Sequence, residues 1–373
     1  MHFTIDRKAL IKAIDFVSAT VAVRTTKPAI EGIKISVGTI GIVEGSPWVA
    51  KLESTDLEIS SQYTLLITEA GAVAGACCVD PRQLVQILRT RENEVVELKL
   101  TDRGLNVSTA GMDVDLQTRP VEEFPPAMGL QEVSKLQLDA KTFADALKSV
   151  FCAEDKGDTG GRWATSGVYL EENGDAIEIV ATDARRLAWS HLKTPCGVSP
   201  SQGGVLVPRK AAHLIERMLR ASGTEQAEMI VGKTEVKVTV GDTVISSRLM
   251  EGKFPPYKQI YPKVSANSIK LDLAQLKRDM RAVAAVRHPD SGSRATWAFE
   301  PGKMLISGTG VGSVSITNDV DCSFKVSTSL DADMLCGLID ARDGEATIHI
   351  SNSKQPVLIE QDGWKSLIMP LCD

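Results

Sequence analysis

The sequence predicts an α+β protein made of three tandem copies of one domain, with antiparallel sheets and two helices per copy. Three observations predict it. Ile5-Asp6, Leu138-Asp139 and Leu271-Asp272 each end a short apolar strand and open an amphipathic helix, and successive copies stand 133 residues apart. Phe124-Pro125-Pro126 recurs 130 residues later as Phe254-Pro255-Pro256 and closes a copy each time. Between these marks most strands follow one another as hairpins, whereas a parallel sheet needs a helix after nearly every strand. A period this long marks a repeated domain, and the bounds it implies are 1–127, 128–254 and 255–373. Each part is large enough to bury a core of its own.

In the first copy Asp6 caps a helix whose buried face is Leu10, Ile14 and Val17. The loop Val23–Pro28 follows, then strands at 33–37, 49–57 and 58–67. Asp80-Pro81 opens a second helix through Leu84, Ile87 and Leu88, with proline where an amide is not needed. Strands at 95–100, 105–107 and 114–118 complete the copy. In the second copy Asp139 caps a helix with Phe143, Leu147 and Val150 inward. A Gly-rich loop at 157–161, strands at 167–170 and 176–181, and a turn at Thr182-Asp183-Ala184 come next. Val207-Pro208-Arg209-Lys210 opens that copy's second helix, and 235–240 alternates as a half-buried strand does. The third copy places helices at 271–288, with Leu276, Met280, Val283 and Val286 inward, and near 330–341. Its strands fall at 295–300, 303–307, 314–317, 346–351, 357–361 and 366–369.

Aromatic residues make up only 5% of the chain, so the cores are expected to be aliphatic. No apolar run reaches the roughly 20 residues of a membrane span, and Met1–Arg7 lacks the apolar core of a signal peptide. Seven cysteines without a CxxC spacing read as reduced, mostly buried thiols of a cytoplasmic protein, not as a disulfide or metal framework. Net charge is −6, yet the six predicted helices together carry +5 and the remainder −11. That segregation suits helices facing a polyanion, although the last helix alone carries −3.

No catalytic signature appears: the chain has no GxSxG, HExxH, Walker loop or dinucleotide fingerprint. Gly308–Gly312 has no helix after it and reads as a hairpin turn. Asp183 beside Arg185 and Arg186 offers an acid next to a cationic clamp, and equally a surface turn between strands. No cofactor and no metal are expected.

Several stretches, taken in order, resemble the bacterial sliding clamp family, the beta subunit of DNA polymerase III. They are Met1–Val17, Arg24–Ile30, Thr55-Asp56-Leu57-Glu58, Val180–Leu187, Val207-Pro208-Arg209-Lys210, Gly252–Tyr257 with Tyr261-Pro262-Lys263, and Met369-Pro370. The resemblance implies a head-to-tail homodimer: six domains closing a ring, helices lining the hole, sheets outside. Duplex DNA would thread the hole without sequence preference. The ring would be a non-catalytic processivity factor in DNA replication. It would tether the DNA polymerase III alpha subunit, meet a clamp loader, and serve other polymerases and repair proteins that carry a clamp-binding peptide, with no part for a membrane. By match, the peptide site comprises Arg162, Thr165, Thr182, Ala184, Arg185, Arg186, Leu187, Pro255, Ile260, Pro356, Leu367, Ile368, Met369, Pro370 and Leu371. Arg24, Arg209 and Lys210 match DNA-facing positions, and Leu88, Leu116 and Val286 are the expected dimer contacts.

The chain departs from the family at Ala184, where a glycine is usual, and at Ala164, where a pocket aromatic is common. It ends Met369-Pro370-Leu371-Cys372-Asp373, which is acidic where the family is basic. Two rival readings follow. One is a clamp-like paralogue with altered partners. The other is an enzyme using Asp183, Arg185 and Arg186 on a phosphorylated substrate.

Overall fold

A computed structural model of the chain describes residues 1–41, 45–92, 94–127, 129–155, 165–194, 204–260, 267–287 and 292–371. Within them one pattern recurs six times: a strand, a helix, then a meander of three antiparallel strands. The opening pairs are His2–Asp6 with α1 (Arg7–Val17), Gly75–Val79 with α2 (Pro81–Arg89) and Glu132–Asp139 with α3 (Ala140–Val150). Then come Val205–Pro208 with α4 (Arg209–Ala221), Ser268–Asp272 with α5 (Leu273–Ala285) and Val326–Asp331 with α6 (Ala332–Ile339). The 133-residue copy is therefore itself a pair of halves. Each opening strand joins the other half's meander: His2–Asp6 pairs with Val95–Thr101, and Gly75–Val79 with Ile33–Thr39. The other two copies make the same exchange.

The helix starts follow from the aspartates. Asp6 accepts the N–H of Ala9 at 2.7 Å, Asp80 that of Arg82 at 2.8 Å, Asp272 that of Gln275 at 2.7 Å and Asp331 that of Met334 at 3.0 Å. Each cap contributes about 1 kcal/mol. The predicted helix faces are the buried ones: Leu10, Ile14 and Val17; Phe143, Leu147 and Val150; Leu276, Met280 and Val283. Val286 lies one residue beyond α5 and is half-buried.

The chain divides into two compact units, Met1–Ala140 with Arg217–Arg248, and Lys141–Glu216 with Leu249–Asp373. A nine-stranded sheet runs through the first, because Thr243–Arg248 pairs antiparallel with Ile59–Leu66. An eight-stranded sheet runs through the second, where Arg186–Lys193 pairs with Trp364–Ile368. Four of the six meanders are thus joined through their last strands. The last strands of the other two are Met112–Leu116 in the first unit and Ser313–Asp319 in the second. Among the described residues neither pairs beyond its own meander.

The first unit's core is aliphatic as expected, built on Leu10, Ile14, Ile33, Ile35, Leu52 and Leu84. Cys77 and Cys78 are free and buried, and burial pushes their thiols up to about 12 and about 11. Lys303–Thr309 and Ser313–Asp319 are paired through the glycine turn, so the hairpin reading of Gly308–Gly312 holds. Strands Gly75–Val79, Val205–Pro208, Gln226–Gly232, Thr243–Arg248 and Val326–Asp331 were not expected from sequence. Gly75–Val79, Thr243–Arg248 and Val326–Asp331 are short and rich in Gly, Ala, Ser or Thr, so pairing with a neighbour more than intrinsic preference makes them strands, while Val205–Pro208 is a four-residue run cut off by its own proline. The Gly-rich loop 157–161 lies outside the described residues. No described helix is long and apolar enough to cross a membrane.

Candidate functional site

In the second unit, the turn between Ala176–Thr182 and Arg186–Lys193 positions most of the expected site. Thr182 Oγ1 accepts the N–H of Ala184 at 3.1 Å. Asp183 Oδ1 accepts the N–H groups of Arg185 and Arg186 at 2.9 and 2.7 Å. Its Oδ2 accepts Nε and Nη2 of Arg186 at 3.0 and 2.8 Å, and Nη1 of Arg186 donates to the Met334 carbonyl at 3.2 Å. Ala184 takes the left-handed conformation with φ 68°, the place where a glycine is cheapest. Both oxygens of Asp183 are thereby engaged in holding a turn. That arrangement suits neither a general base nor a free phosphate clamp, and it disfavours the enzyme reading.

The turn delivers Arg186 and Leu187 onto the strand beside Ile368 and Leu367, and the Met369 N–H donates to the Arg185 carbonyl at 2.9 Å. Val357 pairs with Ile368 from the other side, which places Pro356 at the same end of the sheet. Leu187, Leu367 and Ile368 are almost fully buried, so they form the floor. Met369, Ile260, Ala184 and Arg185 are the exposed members, with Met369 and Ile260 at 40% and 44%. Pro255 and Leu371 are half-buried and Pro370 is buried. Thr165 is buried and donates to Asp155 at 2.9 Å. Arg162 lies outside the described residues, as do Ala164, Cys372 and Asp373.

Sequence reasoning missed the aromatic wall beside this floor. Tyr169 stacks on Phe254 with centroids 4.5 Å apart, and Tyr257 meets Tyr169, Trp189 and Phe254 edge-on at 6.4, 6.2 and 6.1 Å. Leu187 and Leu367 pack into the same cluster. The Tyr257 hydroxyl donates to Glu171 at 2.8 Å, and burial with that carboxylate pushes its phenol above the usual range. A tyrosine directly after Phe-Pro-Pro, present at Tyr257 and replaced by Ala127 in the first copy, was the available signal.

Arg209 and Lys210 open α4. Arg209 is drawn back to the buried Glu154, whose Oε2 accepts its Nε at 3.1 Å and contacts His213 Nε2 at 2.8 Å. Lys210 is exposed, as is Arg24 in the first unit. Exposed cations recur on α1, α3 and α4 at Lys8, Lys12, Lys141, Lys148 and Arg217. On α5 and just after it most cations are countered: the buried Lys277 meets Asp343 at 2.8 Å, Arg281 meets Asp340 at 3.1 Å and Arg287 is bonded to Asp333, while the exposed Arg278 bonds the Gln275 amide. The acidic end of the chain's last helix thus has its partners within its own copy.

Of the expected dimer contacts, Leu88 and Leu116 are buried in the first unit's own core. Leu116 ends the edge strand Met112–Leu116, and Thr90 after α2 reaches Met112 through a 3.9 Å contact to sulfur. Val286 lies beside Gly312, at the turn into the edge strand Ser313–Asp319.

Two family models match the chain: the N-terminal domain of the DNA polymerase III beta subunit over residues 1–128, and its central domain over residues 137–256. The beta sliding clamp of Pseudomonas aeruginosa is 29% identical over 283 residues, 74% of this chain and 72% of its own length. That of Escherichia coli K12 is 27% identical over 266 residues, 70% and 68% of the two chains. Among solved structures, the Pseudomonas aeruginosa DNA polymerase III subunit beta superposes over 100% of both chains with a TM-score of 0.89 at 22% identity. The Caulobacter crescentus pol III beta does so over 100% of both with a TM-score of 0.87 at 24% identity.

Proposed function

The chain belongs to the family of bacterial DNA polymerase III beta subunits, the sliding clamps of DNA replication, and from that premise we propose how its own residues carry the clamp function. Two copies close head to tail into a ring, with domains bounded near 1–127, 128–254 and 255–373. One observation carries this reading: of six equivalent meander ends, four pair with one another, while among the described residues Met112–Leu116 and Ser313–Asp319 keep an outer edge that no other strand covers. A long uncovered strand edge is otherwise a liability. Pairing end to end between copies is a heterologous contact that must close to avoid a filament.

The ring is non-catalytic, acts in the cytoplasm and holds duplex DNA through loose phosphate contacts. Arg24, Lys210 and the exposed lysines of α1 and α3 supply those contacts, while the third copy, neutralised by Asp333, Asp340 and Asp343, supplies few. The polymerase alpha subunit, the loader and other partners dock through a short peptide at the second-unit groove. Met369 and Ile260 grip its apolar residues and Arg185 takes its carbonyls or acids.

Sedimentation equilibrium tests the ring. The expected species has twice the 40.2 kDa chain mass, and Asp113→Pro, on the edge strand Met112–Leu116 with its N–H turned away from the Gly104–Thr109 strand, returns it to monomer. A monomer at micromolar concentration would overturn the reading. In primer extension with the replicase, Arg185→Ala with Met369→Ala is expected to shorten products at least tenfold while the dimer persists.

A further inference from the structure

The first unit contains a second junction of the same construction. Thr55 Oγ1 accepts the N–H of Leu57 at 3.0 Å, Asp56 Oδ1 accepts those of Glu58 and Ile59 at 3.1 and 2.8 Å, and Leu57 is left-handed with φ 78°. The Arg248 N–H donates to the Glu58 carbonyl at 2.9 Å, as Met369 does to Arg185. The strand pairing then assigns counterparts. Ser60 and Ser246 take the places of Leu187 and Leu367, Arg248 that of Met369, and Gln62 that of Trp189. Phe124 replaces Phe254 and Ala127 replaces Tyr257. Lys34 replaces Tyr169: each is second after a glycine, Gly32 or Gly167, pressed on the carbonyl of Val79 or Val207. Its ammonium lies 5.5 Å from the Phe124 ring centroid, where Tyr169 stacks on Phe254.

Aromatics fill the second unit's junction. The first unit, with Lys34, Gln62 and Ala127 in their place, keeps a cavity of about 610 Å³, and the counterparts just named line it. That volume is in the range of dedicated ligand pockets. Three cations face it, Lys34, Lys237 and Arg248, against Glu53 and Glu235. Glu53 is already engaged by Lys34 at 3.4 Å and Lys51 at 3.0 Å. Arg248 holds Glu58 in a 3.8 Å surface pair that exchanges easily. Glu235 Oε2 is buried with no hydrogen-bond partner among the described residues.

We propose that this cavity is a second docking site, taking a short acidic peptide segment. The proposal rests on the reading that the matching groove of the second unit takes a peptide. A carboxylate of the segment meets Lys237 and Arg248, and one of its N–H groups meets Glu235 Oε2. The ring faces of Phe124 and Pro125 cover its stem. An apolar anchor would leave the Ser60 and Ser246 hydroxyls without water or partner, so the two junctions select different peptides.

The test pans phage-displayed random heptapeptides on the full-length protein. Fluorescence anisotropy then measures each recovered peptide against the wild type, Lys237→Glu, Ser246→Trp and Met369→Ala. The expected result is a class rich in Asp and Glu whose affinity falls at least tenfold with Lys237→Glu and with Ser246→Trp, and is unchanged by Met369→Ala. Should Ser246→Trp fail to fold, Lys237→Glu, a change at a half-exposed strand position, decides alone. Recovery only of peptides sensitive to Met369→Ala overturns this proposal and leaves the second-unit groove standing. Recovery only of the acidic class does the reverse, and recovery of neither overturns both.

Discussion

The two Thr-Asp turns make one backbone structure with two different strengths. In both, a threonine hydroxyl and an aspartate oxygen collect three N–H groups, and the aspartate N–H returns to the carbonyl three residues on, at 3.1 Å for Asp56 and 3.2 Å for Asp183. The second adds an arginine. Arg186 bonds the remaining oxygen of Asp183 twice and reaches Met334, where the first turn has Ile59. Backbone geometry here is fixed by a local code of Thr and Asp. The side chain at the fifth position decides whether the turn is also tied to its surroundings.

The largest expected effect separates the two. Asp183→Ala leaves the half-buried Arg186 guanidinium without its carboxylate and is expected to lower unfolding stability by about 3 kcal/mol. Asp56→Ala removes two hydrogen bonds to backbone amides at a turn open to solvent and should cost about 1.5 kcal/mol. Urea midpoints of the two variants check this. Equal losses would mean that the arginine bridge adds nothing beyond the turn.

The second effect uses the tyrosine that the first unit lacks. Folding raises the Tyr257 phenol above its unfolded value, so the folded state holds the proton more tightly. The contribution is complete below about pH 10, the unfolded value, and is lost as pH rises above it, at up to about 1.4 kcal/mol per pH unit. Cys77, Cys78 and Cys152, pushed up to about 12, about 11 and about 12 by burial, add a loss of the same sign from about pH 9. The Tyr257 share is therefore the difference between wild type and Tyr257→Phe in urea midpoints at pH 9 and pH 11. The variant is expected to lose less.

The same comparison shows how far a sequence can be read. The three copies were legible because Asp6, Asp139 and Asp272 each precede an amphipathic helix, and a cap with a 3.6-residue period is a local signal. The doubling within each copy was not. Its opening strands, such as Gly75–Val79 and Val326–Asp331, are strands only because a meander from the other half pairs with them. At the site, Thr182, Arg185 and Met369 could be named from a motif. The wall of Tyr169, Trp189, Phe254 and Tyr257 comes from three separate segments, and nothing in any one segment announces the others. Nor does a motif show that Arg209 is held back by Glu154, since that depends on a buried carboxylate 55 residues earlier.

The smallest effect concerns the left-handed residue that both turns require. Ala184 at φ 68° and Leu57 at φ 78° each place a Cβ where glycine would carry none, a cost of about 1 kcal/mol. Ala184 is exposed and its methyl packs little, so Ala184→Gly should recover most of that cost and raise the urea midpoint. Leu57 also lines the first unit's cavity and is 37% exposed, so Leu57→Gly gives up apolar burial as it relieves the backbone. The net change there should be near zero or negative. If both glycine variants stabilise equally, Leu57 contributes nothing to the cavity wall, and the difference between the junctions lies wholly in Lys34, Gln62 and Ala127. If only Ala184→Gly stabilises, the first turn retains its strained leucine because that side chain shapes the cavity beside it.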